Sequence, residues 1–165
     1  MVSGRLRALL AFVGFCLVGV LLAGRARAGT DPARAVVVIV HPSVPSKGLA
    51  YAELRDIVLG KQRYWSGDSR VELVVSGAPS LERRWWVEEI SAMSEVQFRQ
   101  YWIGEVFRGR ATSAPRAVPD RRTAVALVGV IPGAIAIVEE GELPPTVRAL
   151  PVDGQTPASS TYPLR

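Results

Sequence analysis

The 165-residue chain has one cysteine, one histidine and two methionines. Each scarcity removes a class of function. A single thiol cannot build a disulfide framework, so the fold must be held by its core alone. One histidine and one cysteine give no cluster with metal-ligand spacing, and no Walker or dinucleotide glycine pattern is present. No metal or cofactor is expected. An active site needs a nucleophile, a base and an orienting group within reach of one another, and the residues offer no such set. His41, in "IVHP", falls at a strand end, the edge where α/β folds bind ligands. A lone histidine there is more often a structural hydrogen-bonder than an acid–base group. Glu139, Glu140 and Glu142 group most simply as a solvated turn. An enzyme is not expected.

Basic charge is plentiful, but not where nucleic-acid binding needs it. Lys and Arg number 20 against 15 Asp and Glu. Arg5, Arg7, Arg25 and Arg27 lie in residues 1–28, which hold no acid. That segment has a basic start, an apolar run from Ala8 to Ala23 and a small-x-small ending at Ala26-Arg27-Ala28, the layout of a signal peptide. Its removal takes Cys16 with it and leaves 16 basic residues against 15 acidic ones. A near-neutral mature chain gives no reason to expect a nucleic-acid partner. Export to the periplasm or extracytoplasmic envelope is the expectation. Two alternatives stand beside cleavage. The apolar run is just short of the ~17 residues a spanning helix needs, which leaves an uncleaved anchor open. A lipoprotein is less favoured, because Cys16 sits mid-run without the small residues that precede a lipidated cysteine. Membrane contact follows only if the segment stays uncleaved.

Residues 29–165 are enough for one compact domain. Its core is expected over residues 35–153, with "GQTPASSTYPLR" (154–165) as a polar, frayed tail. "AVVVIV" is a β-branched run of the kind buried on both faces. "AYAELRDIVLG" follows as a helix ending at Gly60, and "VELVV" as a second strand. A helical hairpin comes next, its first helix carrying Leu81, Trp85 and Val87 through Met93. Ser94-Glu95-Val96-Gln97 reads as a capping box opening the second helix, which Gly109 stops. "RATSAPRAVP" reads as a loop, Asp120 as the cap of a helix through Val130, and "AIAIVEE" and "VRALPV" as the last strands. This order implies an α/β fold with a mixed or mostly parallel sheet flanked by helices. Trp85, Trp86, Tyr101 and Trp102 fall at core spacings.

Two clusters suit a small oxyanion. In "SGAPSLERRWW", Ser76, Gly77 and Ser80 lie where a strand runs into a helix, with Arg83 and Arg84 one turn in. A helix start offers unsatisfied N–H groups and about half a positive charge. In "FRGRATS", Arg108, Arg110, Thr112 and Ser113 alternate charge with hydroxyls, and arginine's planar fork matches tetrahedral oxyanions. Each cluster also has a plain reading, as a helix cap and as cations complementing a helix C-terminus.

"ELRDIVLGKQRYWSGD" is similar to the "EL..IFLGK...W.DG" signature of the phosphate-binding proteins of phosphate ABC transporters and their short relatives. "IPGAIAIVEE" resembles that family's "TPGAIGYV" turn and strand, "VHPS" has a counterpart in the short relatives, and "FRGRATSAPRAV" sits where they carry a Gly-rich loop. The resemblance runs from about Val36 to Asp153. It implies a single periplasmic-binding-protein-like domain of type 2 and a phosphate or similar small oxyanion as ligand. Ser76, Gly77 and Ser80 would donate, Arg108, Arg110 and Thr112 would add charge and hydroxyls, and Ser43 with His41 would line the same edge. A transporter or another envelope protein is the implied partner. Departures accompany the match. The family's hydroxyl-rich turn has become "SGAPS", "IGY" has become Ile135-Ala136-Ile137, and Ala50 replaces a Ser cap. The chain also has about half the length of a two-lobed binder. A non-enzymatic envelope interaction domain, or a sensor domain, that keeps the fold without a tight ligand is therefore the alternative reading.

Overall fold

The computed structural model describes residues 35–77 and 79–165. The expected signal peptide, residues 1–28, and Ala78 lie outside the described residues. β1 (Val36–Val40) and β4 (Ala134–Glu139) form the middle of the sheet, and both are apolar at nearly every position. Alternation sends Val36, Val38, Val40, Ile135 and Ile137 to one face, and Val37, Ile39, Ala134, Ala136 and Val138 to the other. A strand with two buried faces needs cover on both. α1 (Tyr51–Val58), α2 (Leu81–Arg84), the π-helical turn that continues it (Trp85–Ile90) and α3 (Glu95–Phe107) supply the first face with side chains. α4 (Arg121–Val130) covers the second through Ala124, Val125 and Val128.

The sheet has five strands in the order β3-β2-β4-β1-β5, with β2 (Glu72–Ser76), β3 (Arg116–Val118) and β5 (Arg148–Ala149) completing it. β2 pairs parallel with β3 and with β4, whereas β1 runs antiparallel to β4 and β5. The sheet is mixed, as expected. One edge carries the C-terminal ends of β2, β3 and β4; the other carries their starts together with the end of β1. Strands of this length set the two edges on the order of 15 Å apart.

Helix boundaries follow their caps. Ser94 and Gln97 make the reciprocal capping box, and Asp120 accepts from the Thr123 amide at 2.7 Å. That amide and the Thr123 hydroxyl hold the Asp120 carboxyl below its ordinary pKa. Ala50 offers no side-chain cap, and Asp153 supplies one from the far end of the chain, its Oδ1 accepting from the Tyr51 amide at 2.8 Å.

Three expectations need correction. "RAV" inside the expected loop is a short edge strand, β3, hidden in the sequence by the prolines on either side of it. The helix expected to reach Met93 stops at Ile90, and Ala92 takes a left-handed turn before the Ser94 cap. The tail is not frayed. Tyr162 and Leu164 are buried, the Val38 amide donates to the Tyr162 hydroxyl, and the Val36 amide donates to the Leu164 carbonyl. Two apolar side chains and two backbone anchors outweigh the polar composition around them. Among the described residues no helix is long and apolar enough to cross a membrane.

Candidate functional site

The edge formed by the C-terminal ends of β2, β3 and β4 holds the helix start read from the sequence. Its donors are mostly spent within the protein. The Gly77 amide donates to the Val118 carbonyl at 2.6 Å. The Ser80 hydroxyl caps α2, accepting from the Arg83 amide at 3.0 Å. Arg83 makes two 2.9 Å bonds to Glu95 and lies over the Phe98 ring. Those bonds pull the Glu95 carboxyl below its ordinary pKa. The first turn of α2 also carries its own anion. Glu82 is buried there, and its Oε1 accepts from the Glu139 amide at 3.2 Å. A carboxylate in that position takes up much of the dipole attraction that an external oxyanion would use.

Ser76 is the exception. It is 2% exposed, and its Oγ has no hydrogen-bond partner among the described residues. An orphaned buried hydroxyl costs about 1–3 kcal/mol, so native structures seldom keep one without a reason. Ser76 follows Val74 on the face that α4 covers, so the hydroxyl sits under the rim rather than on it.

The remaining sequence-derived residues do not join this edge. Arg108 and Arg110 close on one carboxylate, Glu105, at 3.3 and 3.2 Å, just past the end of α3. Thr112 lies beyond them on the loop that enters β3 at its start, which belongs to the opposite edge. Ser43 also lies at the opposite edge, because β1 runs antiparallel to β4 and the His41 amide donates to the Ala134 carbonyl. There Ser43 and His41 satisfy each other. The Ser43 amide donates to His41 Nδ1 at 3.1 Å, and its hydroxyl is 2.7 Å from the same nitrogen. The expectation that Ser43 and His41 share an edge with Ser76 is thus corrected by the antiparallel pairing. β2 and β4 also stand between Ser43 and Thr112.

The motif residues that carried the resemblance meet at this second edge. The Trp65 indole donates to the Gly133 carbonyl at 2.9 Å, joining "LGKQRYW" to "IPGAIAIV" directly. Gly133 has φ +78°, and a Cβ there would collide with the Arg70 carbonyl. Gly60 has φ +67°, and a Cβ would come 2.6 Å from Trp102. Tryptophan and glycine are fixed here by backbone geometry and close packing.

Beside them is a cavity of about 280 Å³ that the sequence reading missed. β3 is so short that it pairs only with Val74–Ser76, leaving the first part of β2 without a neighbour on that side. The signal was present in "RYWSGDSR", whose turn brings two arginines together. Among the described residues no group of three His, Cys, Asp or Glu side chains is placed to hold a metal.

Comparison with known proteins finds no matching family model and no matching curated protein. Solved structures do match. One, assigned as a phosphate ABC transporter substrate-binding protein from Clostridium perfringens and holding phosphate, aligns with TM-score 0.58 at 21% identity over 73% of this chain and 46% of its own. An ABC-type phosphate transport receptor from Vibrio cholerae gives 0.57 at 17% identity, over 79% and 53%. PstS from Borrelia burgdorferi gives 0.53 at 14%, over 79% and 49%. The fold is therefore periplasmic-binding-protein-like, and its structural neighbours are substrate-binding proteins of phosphate transport. The chain spans about half the length of these structures.

Proposed function

We propose that the chain is an exported, non-enzymatic solute-binding-type domain that takes phosphate or a similar small oxyanion at Ser76, whose hydroxyl is left unengaged where the Gly77 amide and the Ser80 hydroxyl are used within the protein. The observation that carries this reading is the orphaned Ser76 hydroxyl at the strand end where the resemblance implies an oxyanion site. The fold of the neighbours and the bound phosphate in one of them support the ligand class. Arg84, exposed on the first turn of the helix, supplies positive charge that Arg83, held by Glu95, does not. Binding is weak, because the buried Glu82 competes for the helix start.

The test is thermal melting of the full chain with phosphate and with sulfate. A ligand at about 100 times its dissociation constant adds roughly 2.7 kcal/mol, enough to move the midpoint of a domain this size by several degrees. Loss of the shift in Ser76→Ala supports the site. No shift at tens of millimolar phosphate sinks it.

A second reading, an envelope interaction domain, is favoured by one observation. Ile103, Val106 and Phe107 project from α3 into solvent, Phe107 at 89% exposure. Apolar side chains grouped on one helix face are the usual mark of a protein contact.

A further inference from the structure

The cavity at the second edge is lined by three arginines. The chain from Arg63 to Val71 doubles back as a tight loop. The Val71 amide donates to the Arg63 carbonyl at 2.9 Å, and the Trp65 amide donates to the Ser69 carbonyl at 2.7 Å. Tyr64 and Arg70 pair across it, and Gly67 and Asp68 make its turn with positive φ. This geometry brings Arg63 and Arg70 together at the cavity, which Arg116, the first residue of β3, also lines. Three arginines stand against one lining carboxylate, Glu72, which already pairs with Arg70 at 3.3 Å. Arg63 also holds the Arg110 carbonyl at 2.9 Å, so its position is set before any ligand arrives. The exposed Arg116 side chain has no ion-pair or hydrogen-bond partner among the described residues. Like charges gathered around a concave surface raise the local potential and favour an anion.

The cavity is not purely polar. Thr112 and Ser113 line one side, and Ile57, Leu73 and Trp102 line another. Trp102 is almost fully buried, and its Nε1 has no hydrogen-bond partner among the described residues. A buried N–H donor without an acceptor is costly, and this one lies beneath the cavity wall. The volume lies near the lower end of small-molecule sites, which start at about 300 Å³. A bare tetrahedral oxyanion of five heavy atoms would leave the apolar wall uncovered.

We propose that this cavity is a second ligand site, separate from the Ser76 edge, for a small organic phosphate. The phosphoryl group would sit between Arg63, Arg70 and Arg116, and an apolar or aromatic body would lie against Leu73, Ala114 and Pro115. Arginine forks and the two hydroxyls suit the head group, and the apolar wall selects the ester over the inorganic ion.

Titration calorimetry of the full chain with phenyl phosphate, inorganic phosphate and phenol tests the site. Phenyl phosphate is expected to bind at least tenfold more tightly than inorganic phosphate at this site, and phenol is expected not to bind. Arg116→Gln, an exposed substitution that leaves the core alone, lowers phenyl phosphate affinity by about tenfold or more, the size of one charge-assisted contact. Arg116→Lys restores part of it, and binding changes tryptophan fluorescence. Ser76→Ala leaves phenyl phosphate binding unchanged, which separates this site from the helix start. Phenyl phosphate binding that survives Arg116→Gln, or that disappears with Ser76→Ala, overturns the proposal. So does the absence of binding at millimolar concentration, whatever inorganic phosphate does at Ser76.

Discussion

The two edges of the sheet are built on opposite principles. At the edge where β2 and β4 begin, conformation is over-determined. Gly133 turns with positive φ against the Arg70 carbonyl, and its own carbonyl accepts from both the Trp65 indole and the Glu72 amide. At the edge where those strands end, the expected donors are engaged elsewhere, Glu82 occupies the helix start, and Ser76 is left unsatisfied. The former holds the glycine and tryptophan of the motifs that carried the resemblance, and they serve packing. The latter holds the donors expected for an oxyanion, and most of them are engaged within the protein.

The largest expected effect lies at the first edge. Gly133→Ala places a methyl group against backbone, which cannot yield as a flexible side chain would. Left-handed strain and the collision together should destabilise the protein by roughly 3–5 kcal/mol, or prevent folding altogether. Urea denaturation measures it, and a loss under about 1 kcal/mol would mean that the turn relaxes freely. Trp65→Phe is the milder probe. It removes one of two donors to the Gly133 carbonyl and should cost about 1–2 kcal/mol.

A comparable loss is expected where the C-terminal segment seals the start of β1. Leu164→Ala removes a fully buried side chain and should cost about 2–5 kcal/mol. Tyr162 beside it adds a pH signature. Burial raises its pKa from 10.0 to about 12. The folded state therefore holds the phenol proton more tightly than the unfolded chain does. That stability is fully present below about pH 10 and is lost as pH rises to about 12, roughly 2–3 kcal/mol in all. Tyr51 and Tyr101 are raised as well, chiefly by burial, and slope in the same direction. The diagnostic is thus the difference between wild type and Tyr162→Phe. Equal slopes in the two proteins would return the segment to the frayed tail that its composition suggested.

Most of the fold was legible because its signals are local. A β-branched run, a capping box, an Asp cap and a positive-φ glycine each fix a few residues without reference to distant ones. What the sequence hid is non-local. β3 is only three residues between prolines, and Asp153 caps a helix that begins at Tyr51. Ser43 fell on the wrong edge because strand direction is set by the topology of the whole sheet. The arginine-lined cavity was missed for the same reason, since Arg63, Arg70 and Arg116 converge only when the loop closes and β3 stops short. Ser76, Gly77 and Ser80 were found together because they are nearly consecutive. Their hydrogen-bond partners were not visible from that spacing.

The smallest effect separates the edges most sharply. Ser76→Ala removes a buried hydroxyl that has no partner among the described residues, so it leaves no broken hydrogen bond behind. Stability without ligand should hold or rise, by up to about 1 kcal/mol. The thermal shift with phosphate should disappear in the same variant. Ser80→Ala provides the contrast, since that hydroxyl caps α2 and its loss should cost about 1 kcal/mol regardless of ligand. A residue kept for architecture costs stability when removed, whereas one kept for a ligand costs binding and leaves stability intact or improved. If Ser76→Ala instead destabilises the protein as Ser80→Ala does, Ser76 is architectural as well, and the strand end holds no oxyanion.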